Sequence, residues 1–117
     1  MARVDKINQQ LKREISVLIQ QELSDPRLHL VTIISAYISR DLKSAKIYFS
    51  VLGDAKLVEQ AQNGLDAASG LLRRYIGQTM KLRFTPELSF VYDRTIEVSA
   101  KIESTLKEIK DEFKKNN

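Results

Sequence analysis

Arg73, Arg74 and Lys81 fall at helical spacing with Gly70, Gly77 and Gln78, and no large apolar side chain interrupts the face they form. These residue types suit contact with phosphate. Arginine offers paired N–H donors to phosphate oxygens, lysine a point charge on a flexible stem, and glycine lets a nucleic-acid backbone come close. A solvated helix surface has the same composition, so the face takes its meaning from its position in the fold. Ser69, just before Gly70, has a hydroxyl able to bond a free N–H at a helix start. A second basic group, Arg40, Lys43 and Lys46 against Asp41, lies around a predicted strand connection.

Catalytic chemistry has few candidates. The chain has no cysteine, which excludes disulfides, zinc-thiolate sites and thiol nucleophiles. Its one histidine, His29, sits between Leu28 and Leu30 at the entry to a predicted strand, where a structural role is favoured over general-base work. Asp93 and Glu97 can share a helix face as paired carboxylates, but Asp93 at a helix start is more simply a cap. The sequence has no metal-ligand cluster, Gly-x-Ser-x-Gly elbow or P-loop glycine run. A non-enzymatic protein without a cofactor is expected.

The 117 residues, 43% of them hydrophobic, suffice for one domain with its own core, so residues 1–117 read as a single unit whose end, about 108–117, frays. A net charge of +4 and a pI near 9.4 lean toward a polyanionic partner. The distribution is more telling than the total. Residues 71–94 hold five positive and two negative charges, whereas 54–66 hold one positive and three negative. No apolar signal core or bilayer-length run appears, which predicts a cytoplasmic protein with no membrane partner.

Val4, Ile7, Leu11, Ile15, Leu18 and Ile19 keep a helical period over Val4 to Leu23, and Ser24-Asp25-Pro26 ends that helix. Val31 to Ser39 and Ala45 to Leu52 are rich in β-branched and aromatic residues and read as an antiparallel hairpin across a short polar turn. After Gly53-Asp54 the period returns to three and four. Val58, Ala61, Leu65 and Ala68 form one apolar stripe; Leu71, Leu72, Tyr75, Ile76 and Met80 form a second. Ala68-Ser69-Gly70 is the expected joint between them, a kink or a restarted helix, because Gly70 accepts backbone angles other residues resist. Gly64, costly within a helix, suggests a close packing contact. Leu82 to Pro86 reads as a connection and Glu87 to Tyr92 as a third strand. Asp93 or Thr95 then caps a last helix with the stripe Ile102, Leu106, Ile109 and Phe113. Helices covering one face of a three-stranded sheet make a two-layer α+β domain. The order places the paired helices where a KH domain of type II topology carries its helix-turn-helix, with one helix added at the C-terminus.

Four stretches together resemble the bacterial ribosome-binding factor A family: RVDKINQQLKREI from Arg3 to Ile15, DLKSAKIYFSVLG from Asp41 to Gly53, AASGLLRRYIG from Ala67 to Gly77, and PELSFVYDRTIEVSAKIESTL from Pro86 to Leu106. Their order and spacing cover nearly the whole chain. The resemblance implies a monomeric, non-enzymatic assembly factor that binds the 30S small ribosomal subunit and its 16S rRNA. It further implies a role in late maturation of that rRNA, importance at low temperature, and release aided by a GTPase. KH domains usually clamp nucleic acid with a Gly-x-x-Gly loop. Here Ala68-Ser69-Gly70 stands in its place and looks like the Ala-x-Gly interhelical kink of the family. Binding a folded rRNA surface through phosphates and shape suits it better than gripping an extended strand. The residues expected to contact RNA are Ser69, Gly70, Arg73, Arg74, Lys81 and Arg83, flanked by Arg40, Lys43 and Lys46. The alternatives are a general RNA-binding domain or a protein-interaction module using the stripe of the last helix.

Overall fold

A computed structural model of the chain describes residues 3–94. The first helix, α1 (Arg3–Val17), buries Ile7, Leu11 and Ile15 at four-residue intervals and leaves Arg3, Lys6, Lys12 and Arg13 exposed. Its last turn widens to π geometry over Leu18–Glu22, closed by the Leu23 N–H donating to the Leu18 carbonyl at 3.1 Å. The expected stop follows. Asp25 accepts from the backbone N–H of Arg27 and pairs with its guanidinium at 2.7 Å, opening the single 3-10 turn Pro26–Leu28. The Arg27 hydrogen bonds hold the Asp25 carboxyl below the usual carboxylate range.

Strands β1 (Val31–Ile38) and β2 (Ser44–Val51) pair antiparallel, one residue from the expected bounds, and the register slips between Ile33 and Ser35. Strand β3 (Glu87–Tyr92), with the expected bounds, pairs parallel to β2, giving the order β1-β2-β3. A parallel pair needs a crossover. Here it is α2 (Ala55–Thr79), opened by Asp54, whose carboxylate accepts the Leu57 N–H at 3.0 Å. On β2, Ala45, Ile47 and Phe49 are buried while Ser44 and Lys46 are exposed, so among the described residues one sheet face is covered and the other open. Leu11, Ile15, Ile47, Phe49, Leu65, Leu72 and Ile76 are fully buried between the layers. Each contributes about 1.5–3 kcal/mol by leaving water. The architecture is the expected α+β KH-like one. The last helix, its cap Thr95, its apolar stripe and the end at 108–117 lie outside the described residues.

Of the kink or restarted helix expected at Ala68-Ser69-Gly70, the restart is ruled out: α2 runs as one helix from Ala55 to Thr79. Its buried positions Ala61, Gly64, Leu65, Leu72 and Ile76, with the half-buried Ala68, continue in phase through the joint. A glycine in a helix costs about 1 kcal/mol relative to alanine. Packing of the same stripe on both sides outweighs that, and Gly70 stays helical. The Ser69 hydroxyl donates back to the Asp66 carbonyl at 2.9 Å rather than capping a new helix start. The continuous phase also turns Leu71, expected in the apolar stripe, outward to 50% exposure. Gly64 is the close contact its cost suggested: a Cβ there would lie 3.1 Å from the Leu28 side chain and 3.2 Å from that of Arg27.

Candidate nucleic-acid interface

The turn between β1 and β2 is organised by Asp41. Its carboxylate accepts the Ser39 hydroxyl at 2.6 Å and the Lys43 N–H at 3.0 Å, and Ser39 Oγ in turn accepts the Ser44 N–H at 3.1 Å. These bonds, first that from Ser39, keep the Asp41 carboxyl below the usual carboxylate range. Leu42 takes the left-handed backbone conformation, φ 63°, that closes the turn. Lys43 is thereby fixed at its exit, where its carbonyl accepts the Glu87 N–H at 2.9 Å. The hairpin turn is tied to the start of β3.

The connection from α2 to β3 meets that turn. Lys43 Nζ lies 5.4 Å, and Arg83 Cζ 5.3 Å, from the centre of the Phe84 ring, which is 39% exposed. Arg73 reaches from α2 to the same connection, donating from Nε to the Pro86 carbonyl at 3.1 Å and from Nη2 to the Thr85 carbonyl at 3.3 Å. Gly77 lets the segment approach, since a Cβ there would lie 2.9 Å from Thr85 Oγ1. So of the two glycines flanking the basic face, Gly77 admits the protein's own chain. Among the described residues Gly70 faces open space, with no atom within 4 Å of where its Cβ would be.

The expected contact residues therefore divide. Lys43 and Arg83 meet at Phe84, with Arg73 bound to the next two carbonyls. Arg74, one position on, is exposed and forms no ion pair among the described residues. Gly70 lies one turn before it on α2, and Ser69 is half-buried. Lys81 belongs to a different cleft, of ≈ 360 Å³, which it lines with Thr79 of α2 and Arg3 of α1. Arg40 is exposed in the hairpin turn, and Lys46 stands on the open sheet face opposite Tyr37. Tyr37 packs edge-on to Tyr48 there, ring centres 5.7 Å apart. Sequence reading missed Phe84, Arg3 and the tyrosine pair. For Phe84 the signal was present: a lone aromatic beside Arg83 in a segment otherwise read as a mere connection.

Among the described residues no polar or charged side chain is buried, and no group of three His, Asp or Glu is placed to hold a metal ion. His29 is exposed. No helix among them is long and apolar enough to cross a membrane. What the arrangement offers is exposed cation and aromatic surface, suited to binding.

Residues 3–106 match the family model for ribosome-binding factor A. The chain is 42% identical over 109 residues to ribosome-binding factor A of Acetivibrio thermocellus, covering 92% of this chain and 89% of that protein. It is 41% identical over 114 residues to that of Desulfitobacterium hafniense, covering 97% and 91%. The crystal structure of ribosome-binding factor A from Thermus thermophilus superposes with a TM-score of 0.71 at 28% identity, covering 79% of this chain and 97% of that one. A homology model of the Thermus thermophilus factor, fitted into a cryo-electron microscopy map of a 30S–RbfA complex, superposes with a TM-score of 0.63 at 29% identity, covering 80% and 96%. With the family model matched over residues 3–106 and relatives more than 40% identical over nearly the whole length, this chain belongs to the ribosome-binding factor A family.

Proposed function

We propose that the protein binds the free 30S ribosomal subunit through 16S rRNA, as a single non-enzymatic unit. The observation that carries this reading is the convergence of Lys43 and Arg83, from two separate connections, on the exposed Phe84, with Arg73 bound to the same segment. Cations brought together by the fold, with no carboxylate partner among the described residues, are what a phosphate backbone engages. The Thermus thermophilus complex supports the 30S subunit as the partner. Family membership supports the finer reading: the protein acts as a monomer in the cytoplasm, promotes late maturation and processing of the 16S rRNA precursor, matters most in the cold, and leaves with the help of an assembly GTPase.

Binding to purified 30S subunits across a salt series tests the central part. Removing one phosphate-binding cation lowers the salt slope by roughly one. Lys43→Ala with Arg74→Ala and Arg83→Ala is expected to weaken binding and flatten the slope by about two to three. An unchanged slope removes this surface from the reading. For the finer part, the gene is deleted and restored: precursor 16S rRNA should accumulate in the cold without it and clear when it returns.

A further inference from the structure

The geometry points to Phe84 as a stacking platform for an unpaired nucleobase, with Lys43 and Arg83 holding the adjoining phosphates; this rests on the rRNA-binding reading above. Phe49 and Phe90 are buried, whereas Phe84 is 39% exposed. More than a third of its surface stays in water. Its setting is nevertheless firmly held. The Glu87 N–H to Lys43 carbonyl bond fixes the segment on one side, and the two Arg73 bonds to the carbonyls of Thr85 and Pro86 fix it on the other. A ring presented by a tied-down segment loses little entropy when a ligand stacks on it.

The cations specify the ligand. Both cations lie over the ring, 5.3 and 5.4 Å from its centre; a stacking nucleobase moves a cation off the face it takes, and its phosphate, a few ångströms away, stays within that side chain's reach. An apolar protein side chain would use the ring and waste both charges. An acidic peptide would use the charges and not the ring. Duplex RNA keeps its bases stacked inside, so the occupant is a base from a loop, a bulge or an end.

Binding of Phe84→Leu, Phe84→Trp and Lys43→Ala/Arg83→Ala to purified 30S subunits tests the assignment, with thermal melting as the check on folding. Stacking predicts that Phe84→Leu weakens binding by about ten-fold or more with the salt slope unchanged, and that Phe84→Trp retains wild-type affinity. The double cation variant lowers the slope instead. If Phe84→Leu folds and binds like wild type while the double variant weakens binding, the stacking role is overturned and the rRNA-binding surface stands. If neither variant changes binding, the surface itself is wrong. If Phe84→Leu and Phe84→Trp weaken binding alike, the ring serves local packing and stacking is again overturned. Should Phe84→Leu fail to fold, Phe84→Trp decides with Phe84→Tyr: both must bind like wild type, and weakened binding by folded aromatic variants overturns the proposal.

Discussion

Lys43 lies in the hairpin turn and Glu87 opens β3, yet the Glu87 N–H donates to the Lys43 carbonyl at 2.9 Å, so the turn and the start of β3 form one structural unit. The next residue, Ser44, then opens the parallel pairing of β2 with Glu87. Two stretches remote in sequence are thus neighbours, and each brings a cation to Phe84. The binding role proposed for this surface follows from that neighbourhood.

Arg73 is expected to hold the fold as well as carry charge. Its two hydrogen bonds to backbone carbonyls tie α2 to the segment that presents Phe84. Arg73→Ala should cost about 1–2 kcal/mol, less than a buried charged hydrogen bond because the group is only half-buried. Urea denaturation checks this: the midpoint should fall with the slope unchanged. Arg74→Ala, at an exposed position, should leave the stability within about 0.5 kcal/mol of wild type.

Three glycines of α2 should respond differently to alanine. At Gly70 a Cβ meets open space and the backbone is already helical, so Gly70→Ala should stabilise by about 0.5–1 kcal/mol. At Gly64 the added methyl would press on Leu28 and Arg27, and at Gly77 on Thr85, so the helical gain should vanish or reverse. Thermal melts of the three variants check the order. If the stabilised Gly70→Ala loses 30S binding, the open space at that position serves recognition.

Acid should loosen the hairpin turn. The Asp41 carboxyl is held below its usual range, first by the Ser39 hydroxyl and then by the Lys43 N–H. A depressed folded-state pKa contributes stability that is present above the unfolded value, about 3.9, and is lost as pH falls through the folded value. The contribution is therefore intact at neutral pH. An NMR titration should place the Asp41 midpoint below about 3.9, with the Lys43 amide shifting in step. A midpoint at or above that value would contradict the turn as described.

Much of the fold was legible in the sequence. Runs of β-branched and aromatic residues marked β1 and β2, the alternation of Leu88, Phe90 and Tyr92 marked β3, Asp54 marked the start of α2, and Ser24-Asp25-Pro26 marked the end of the first helix. No helix restarts at Gly70 because its preference is local, whereas the buried stripe running from Ala61 to Ile76 decides over many residues. The partners of Arg73 are backbone carbonyls, which no side-chain pattern announces. Phe84 gained meaning only once the parallel pairing of β2 with β3 had set Lys43 beside it.

Whether this surface meets rRNA is tested by crosslinking the protein to rRNA in its 30S complex and mapping the adducts by mass spectrometry. Nucleotide adducts are expected on the segments carrying Lys43, Arg74, and Arg83 with Phe84. Stable 30S binding with adducts confined to other segments, or with crosslinks to ribosomal proteins alone, would contradict rRNA recognition by this surface.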